Sequence, residues 1–228
     1  MINKNLQSKG VMSAKMVALV AMMTATIEAG KIALAWLPNI EVVTLLCGVY
    51  GYVFGWLGIL ATILFVVIET MIWGVNTWVL SYFIYWPLVA GIFMFLNKLH
   101  VKNRWIITAV AVTLTVFFGV LTSLVDVGLF SGLFDNFWKR FATYYVAGTW
   151  FYVAQIACNA IVFPALFIPL KDMLIKLKKN FIQNKAVRDI QDYSLENRVE
   201  EGTKTREEEL ENSLLINKAK EEETNIKN

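Results

Sequence analysis

The chain of 228 residues is 57% hydrophobic and 14% aromatic, only 17% of its residues are charged, and its mean hydropathy is +0.54. A soluble domain of this length needs far more polar surface, so the composition excludes one and specifies an all-α integral membrane protein. The net charge of +3 divides into +7 over residues 1–180 and −4 over residues 181–228; a basic body over a membrane reads as topology and not as nucleic-acid binding.

Residues 1–11 are polar, with Lys4 and Lys9, and form a cytoplasmic N-terminus. Residues 15–39 are the first apolar run, too long for the core of a signal peptide and without a small-residue cleavage site, so it is expected to stay as a span. At 100° per residue, Ala14, Ala18, Ala21, Ala25 and Ala29 fall within about 80° of one another. Small residues at this spacing let a second helix approach closely in lipid, where packing drives helix association. Glu28 lies beside that face, and Lys31 follows three residues later. An ionisable side chain at this depth marks a site or an ion pair, and these two are spaced to pair with each other. Pro38 ends the run, and a tight turn through Asn39 and Glu41 follows.

Residues 42–73 are almost wholly apolar and break softly around Gly55, Trp56 and Gly58, which predicts two short helices of about fifteen residues. Gly51 and Gly55 form a G-x-x-x-G pair, read either as close helix packing or as a turn. After a break at residues 74–77 come a span over 78–96 containing Pro87, a basic loop with Lys98, His100, Lys102 and Arg104, and a span over 105–129. A polar connection over 131–141 leads to the last span, 144–170. Six spans with the start inside place ten Lys/Arg on the cytoplasmic side, Lys4 through Lys179, against Lys31, Lys139 and Arg140 outside. Fusing 42–73 into one helix strands a basic group outside, so the expectation is six transmembrane helices over residues 12–180 with both termini cytoplasmic, in the cell membrane. Residues 181–228 are a charged tail, helical or disordered.

With this topology Glu28, Glu41, Glu69, Asp126 and Asp135 converge on the outer side, together with Trp36, Trp73, Trp78, Trp138 and Trp150. An interfacial belt explains any single Trp, but it predicts a matching inner belt, for which only Trp56 and Trp105 are available, and it does not explain Glu28 and Glu69. Aromatic walls with a few placed polar groups are the form of a small-molecule site. The absence of G-x-x-x-x-G-K-[ST] excludes a P-loop, and one histidine in a basic loop leaves no Ser-His dyad or histidine metal cluster. Cys47 and Cys158 read as small buried hydrophobes. No catalytic residue, metal site or cofactor is expected, and an enzyme is unsupported.

The alanine-rich ALVAMMTATIEAG, the loop LPNIEVVTLL, the stretch SYFIYWPLV and the final AQIACNAIVFPALFIPL followed by lysines resemble the substrate-binding S component of energy-coupling factor vitamin transporters, over about residues 10–180. The resemblance implies capture of a vitamin or related micronutrient from outside, and delivery after docking on a transmembrane coupling subunit driven by two ATPase subunits. It places docking on Ala14 and Ala18 or on Ala21 and Ala25, and a gate at residues 38–41. Asn159 matches a polar position of the family's last span, here without the histidine that can precede it. The candidate ligand-binding residues are Glu28, Asn39, Glu69, Asn76, Trp78, Tyr85, Trp150, Gln155 and Asn159, with rings to stack on a flat ligand and carboxylates to accept its donors or balance a positive charge. A structural or assembly subunit without ligand, and a small intramembrane enzyme, are the alternatives.

Overall fold

The computed structural model describes residues 14–37, 40–130, 132–133 and 135–226. Pro38 and Asn39, and the polar start of the chain, lie outside the described residues. The architecture is all-helical: α1 (Ala14–Leu34), α2 (Val43–Phe54), α3 (Trp56–Trp73), α4 (Thr77–Lys98), α5 (Arg104–Val125) with a π-helical turn Asp126–Phe130, and α6 (Phe137–Ile226). Five helical segments are long and apolar enough to cross a membrane, within α1, α3, α4, α5 and the 137–179 part of α6, as in a multi-pass membrane protein. The chain divides into two compact units at residues 175 and 176. The second consists of the charged remainder of α6, helical as far as Ile226.

The break within residues 42–73 falls at Gly55, whose φ of +61° is open to glycine and strained for other residues. Gly51 has a different job: a Cβ there would meet the Ala90 carbonyl oxygen at 2.1 Å, so glycine is what lets α2 lie directly on α4. The G-x-x-x-G pair therefore supplies both close packing and a turn.

Contacts between named residues give each helix its direction. Thr24 of α1 donates to the Ala61 carbonyl of α3 at 3.2 Å and Lys31 pairs with Glu69, so these two helices run parallel. Thr115 of α5 meets Asn159 of α6 and Ser123 meets Tyr152, so those two run antiparallel. Glu41, just before α2, meets Gln155 and Asn159, while Tyr52 near its end meets Phe167 at 5.5 Å between ring centroids. α2 and α6 thus run parallel. One end of the bundle, the basic end, carries Lys98, Lys102, Arg104 and Lys171; the opposite end carries the start of α2 and the Trp73–Trp78 turn.

The core at the basic end is aromatic. Phe93 lies 5.6 Å from Phe163 and 5.5 Å from Phe167, and the Tyr52 hydroxyl donates to the Val101 carbonyl at 2.9 Å, fixing the α2 end to the loop between α4 and α5. On α6, Gln155, Asn159, Phe163 and Phe167 are all buried and four residues apart, a single stripe that is polar toward one end and aromatic toward the other.

Candidate functional site

The polar half of that stripe meets Glu41. Glu41 lies just before α2, and its carboxylate reaches residues near the middle of the first-unit part of α6. Its oxygens accept from the Thr44 backbone N–H at 2.8 Å, the Thr44 hydroxyl, Gln155 Nε2 at 3.3 Å and Asn159 Nδ2 at 3.2 Å. Asn159 also donates to Thr115 Oγ1 at 3.0 Å, and the Cys158 thiol lies 3.5 Å from the Glu41 carbonyl. Glu41 thereby caps α2, its charge favoured by the helix dipole, and ties α2 to α6.

Beside this network lies a cavity of about 380 Å³, bounded by the end of α1, Leu37, Ile40 and Glu41 before α2, the start of α2, the end of α3, and α4, α5 and α6. Lys31, Glu41 and Gln155 supply its polar wall; Trp73, Trp78, Tyr82, Trp86 and Phe118 supply aromatic faces. The aromatics form one linked set: Trp78 to Tyr82 at 4.9 Å, Tyr82 to Trp86 at 5.4 Å, and Trp86 stacked on Phe118 at 5.8 Å. Tyr85 lies behind them, fully buried, 4.6 Å from Phe118, its hydroxyl directed toward Thr44 and Thr115 without closing an ordinary hydrogen bond.

Lys31 occupies the wall nearest α3. Its ammonium pairs with Glu69, whose side chain is fully buried, and lies 5.2 Å from the Tyr82 ring centroid, 5.4 Å from Trp78 and 5.9 Å from Phe65. Three ring faces around one cation make a cation–π cage with a carboxylate at its base. Glu28, one turn earlier on α1, is also buried, and neither of its carboxylate oxygens has a hydrogen-bond partner among the described residues.

Of the residues singled out from sequence, Trp78 and Gln155 line the cavity, and Glu69, Asn159 and Tyr85 stand directly behind its wall. Glu28 neighbours Lys31 without lining the cavity. Asn76 is exposed and donates to the Trp73 carbonyl at 3.2 Å, shaping the α3–α4 turn. Trp150 is 78% exposed on the outside of α6, as are Trp36 and Trp138 on their own elements, and Trp56 and Trp105 are exposed toward the basic end. None of these five lines the cavity. Asn39 lies outside the described residues.

Sequence reasoning did not single out Lys31, Glu41, Tyr82, Trp86 or Phe118 as lining residues. For Glu41 a signal existed: an acidic residue three positions before Thr44, at the start of an apolar run, is a helix-start pattern. The i, i+4 spacing of Gln155 and Asn159 likewise places both amides on one face. Among the described residues no group of His, Cys, Asp and Glu is arranged to hold a metal ion. Compared with protein-family models, curated proteins and solved structures, the chain matches none of them.

Proposed function

We propose that this protein is the ligand-capture subunit of an energy-coupling-factor-type importer in the cell membrane, which takes up a vitamin or related micronutrient. The observation that carries the reading is the cavity of about 380 Å³. Its size suits a small-vitamin ligand, its walls are aromatic, and its few polar groups are fixed by partners, which is how pockets for small molecules are built. Glu41 and Gln155 hold one side through the α2–α6 network, while Lys31 is held on the other by Glu69 and the rings.

The topology belonging to this reading has six spans with both termini in the cytoplasm. α2, at 12 residues, is about 18 Å long and does not cross a hydrocarbon layer of about 30 Å by itself. In this reading the chain leading into it supplies the rest of the crossing. The pocket then faces outside, the basic end faces the cytoplasm, and residues 38–41 are the gate.

Release requires partners, namely a transmembrane coupling subunit and its ATPases. The surface available for docking is the alanine stripe of α1: Ala14, Ala18, Ala21 and Ala25 are all exposed, on a helix whose Val20, Met23 and Ile27 are buried. That exposed side also carries Met16, Val17 and Met22, so an apolar face with small residues at helical spacing is what supports a helix partner beyond this chain.

Mass spectrometry of the detergent-purified chain, expressed in vitamin-rich medium, tests the reading. A stoichiometric retained vitamin is the expected result. An empty protein whose melting temperature no vitamin raises overturns it and favours a structural subunit.

A further inference from the structure

We propose that the pocket takes a zwitterion built on a flat ring, its anionic group seated on Lys31 and its cationic group on Glu41; the inference deepens the capture reading above and rests on it. Two side chains of opposite charge border the cavity, Lys31 from α1 and Glu41 from the residues before α2. Both are half-buried, and they do not pair with each other. The Lys31 ammonium pairs with Glu69 behind the wall, and Glu41 is held by Thr44, Gln155 and Asn159. Opposite charges in a low-dielectric space attract strongly. Each is tied down by partners of its own, which keeps both charges at the cavity wall and stops them from neutralising each other.

Both anchors keep bonding capacity to spare. An ammonium has three N–H donors and a carboxylate about four lone-pair sites. Lys31 has Glu69 as its one ion-pair partner among the described residues, and its side chain, 26% exposed, forms part of the wall. On Glu41 the bonds are uneven: Oε1 accepts from the Thr44 hydroxyl, Gln155 and Asn159, whereas Oε2 accepts from the Thr44 backbone N–H. All of these donors are neutral, and among the described residues no cation pairs with Glu41. Tyr82 is shared by the two anchors, its ring centroid 5.2 Å from the Lys31 nitrogen and its hydroxyl within electrostatic reach of Glu41. With Trp78, Trp86 and Phe118 it supplies the apolar faces that take up a ring. A cation on Glu41 leaves the Lys31 donors without an acceptor, and an anion on Lys31 leaves Glu41 without a counter-charge. A ligand with one charge of each sign answers both walls.

The test uses three probes that share one ring and differ in charge: L-phenylalanine as the zwitterion, 2-phenylethylamine, which lacks the carboxylate, and 3-phenylpropionate, which lacks the ammonium. Each is titrated calorimetrically into the full chain in lipid nanodiscs. L-phenylalanine is expected to bind at least tenfold more tightly than either analogue. Glu41→Gln is expected to remove its advantage over 3-phenylpropionate and to keep its advantage over 2-phenylethylamine. Lys31→Met/Glu69→Gln, which removes the ammonium together with its buried partner, is expected to do the reverse; where Glu41→Gln does not fold, this double variant decides alone. A one-charge analogue that binds as well as L-phenylalanine, binding of none, or variants that weaken all three probes alike overturns the proposal. Extraction of the same preparation separates the two readings. A retained vitamin that carries no charge, or charge of one sign, leaves capture standing and removes the zwitterion; no retained molecule, and no vitamin that raises the melting temperature, removes both.

Discussion

Lys31 and Glu69 form an ion pair between α1 and α3 whose carboxylate is fully buried and whose ammonium reaches the pocket wall. Removing one partner of such a pair strands the other, whereas removing both is far less harmful. Lys31→Met is therefore expected to lower stability by about 3–5 kcal/mol, and the double variant Lys31→Met/Glu69→Gln to recover most of that loss. Unfolding in mixed micelles, compared across the two single variants and the double, measures the coupling.

Glu41 holds α2 to α6 through the Thr44 backbone, Gln155 and Asn159. Glu41→Ala removes a helix cap and leaves two buried amides short of an acceptor, a loss of about 2–4 kcal/mol. Ligand affinity should fall with it, because the same residue forms part of the cavity wall. Asn159→Ala should reproduce part of the stability loss and, since Asn159 stands behind the wall, less of the affinity loss.

Trp78 and Trp150 separate pocket from belt. Trp78 borders the cavity and faces Lys31, while Trp150 is 78% exposed. Trp78→Ala is expected to weaken the retained ligand by about 1–2 kcal/mol, roughly five- to thirtyfold in Kd. Trp150→Phe should leave Kd within about twofold, since an exposed residue away from the cavity wall makes no contact with its contents. Equal effects of the two substitutions would show that the cavity is not where the ligand binds.

Gly51 lies against the Ala90 backbone, which leaves no room for a side chain. Gly51→Ala is expected to cost about 1–3 kcal/mol or more by forcing α2 off α4. Gly202 is the control: it is exposed, a Cβ there meets nothing within 4 Å, and Gly202→Ala should raise helix stability by about 0.5–1 kcal/mol. Thermal melts of the two variants check the contrast.

The alanine stripe of α1 is exposed at positions 14, 18, 21 and 25. Ala18→Trp and Ala25→Trp are expected to preserve folding and ligand retention while abolishing co-purification of a coupling subunit and uptake in cells. Unchanged uptake in both variants would remove docking from this face.

Much of the architecture was legible before any contact was known. Apolar runs, the basic loop at residues 98–104, the turn glycine and the charged remainder beyond residue 180 are local signals, and local signals fix helix existence and polarity. The alanine stripe was likewise legible, because helical periodicity alone places those residues on one face. Which tryptophans turn inward was not: Trp78, Trp86 and Trp150 have the same chemistry, and their directions follow from which helix each one meets.

What the sequence by itself determined is therefore a membrane-embedded helical chain, its breaks, and a short set of intramembrane carboxylates and amides. Only the tertiary structure decided their partners. Lys31 pairs with Glu69 of α3 while its charge also acts on Glu28 of its own helix, and Glu41 found Gln155 and Asn159 more than a hundred residues away. The reason is physical: in a low-dielectric interior a charge is governed by the groups within a few ångströms of it, and helix packing, not spacing along the chain, sets which groups those are.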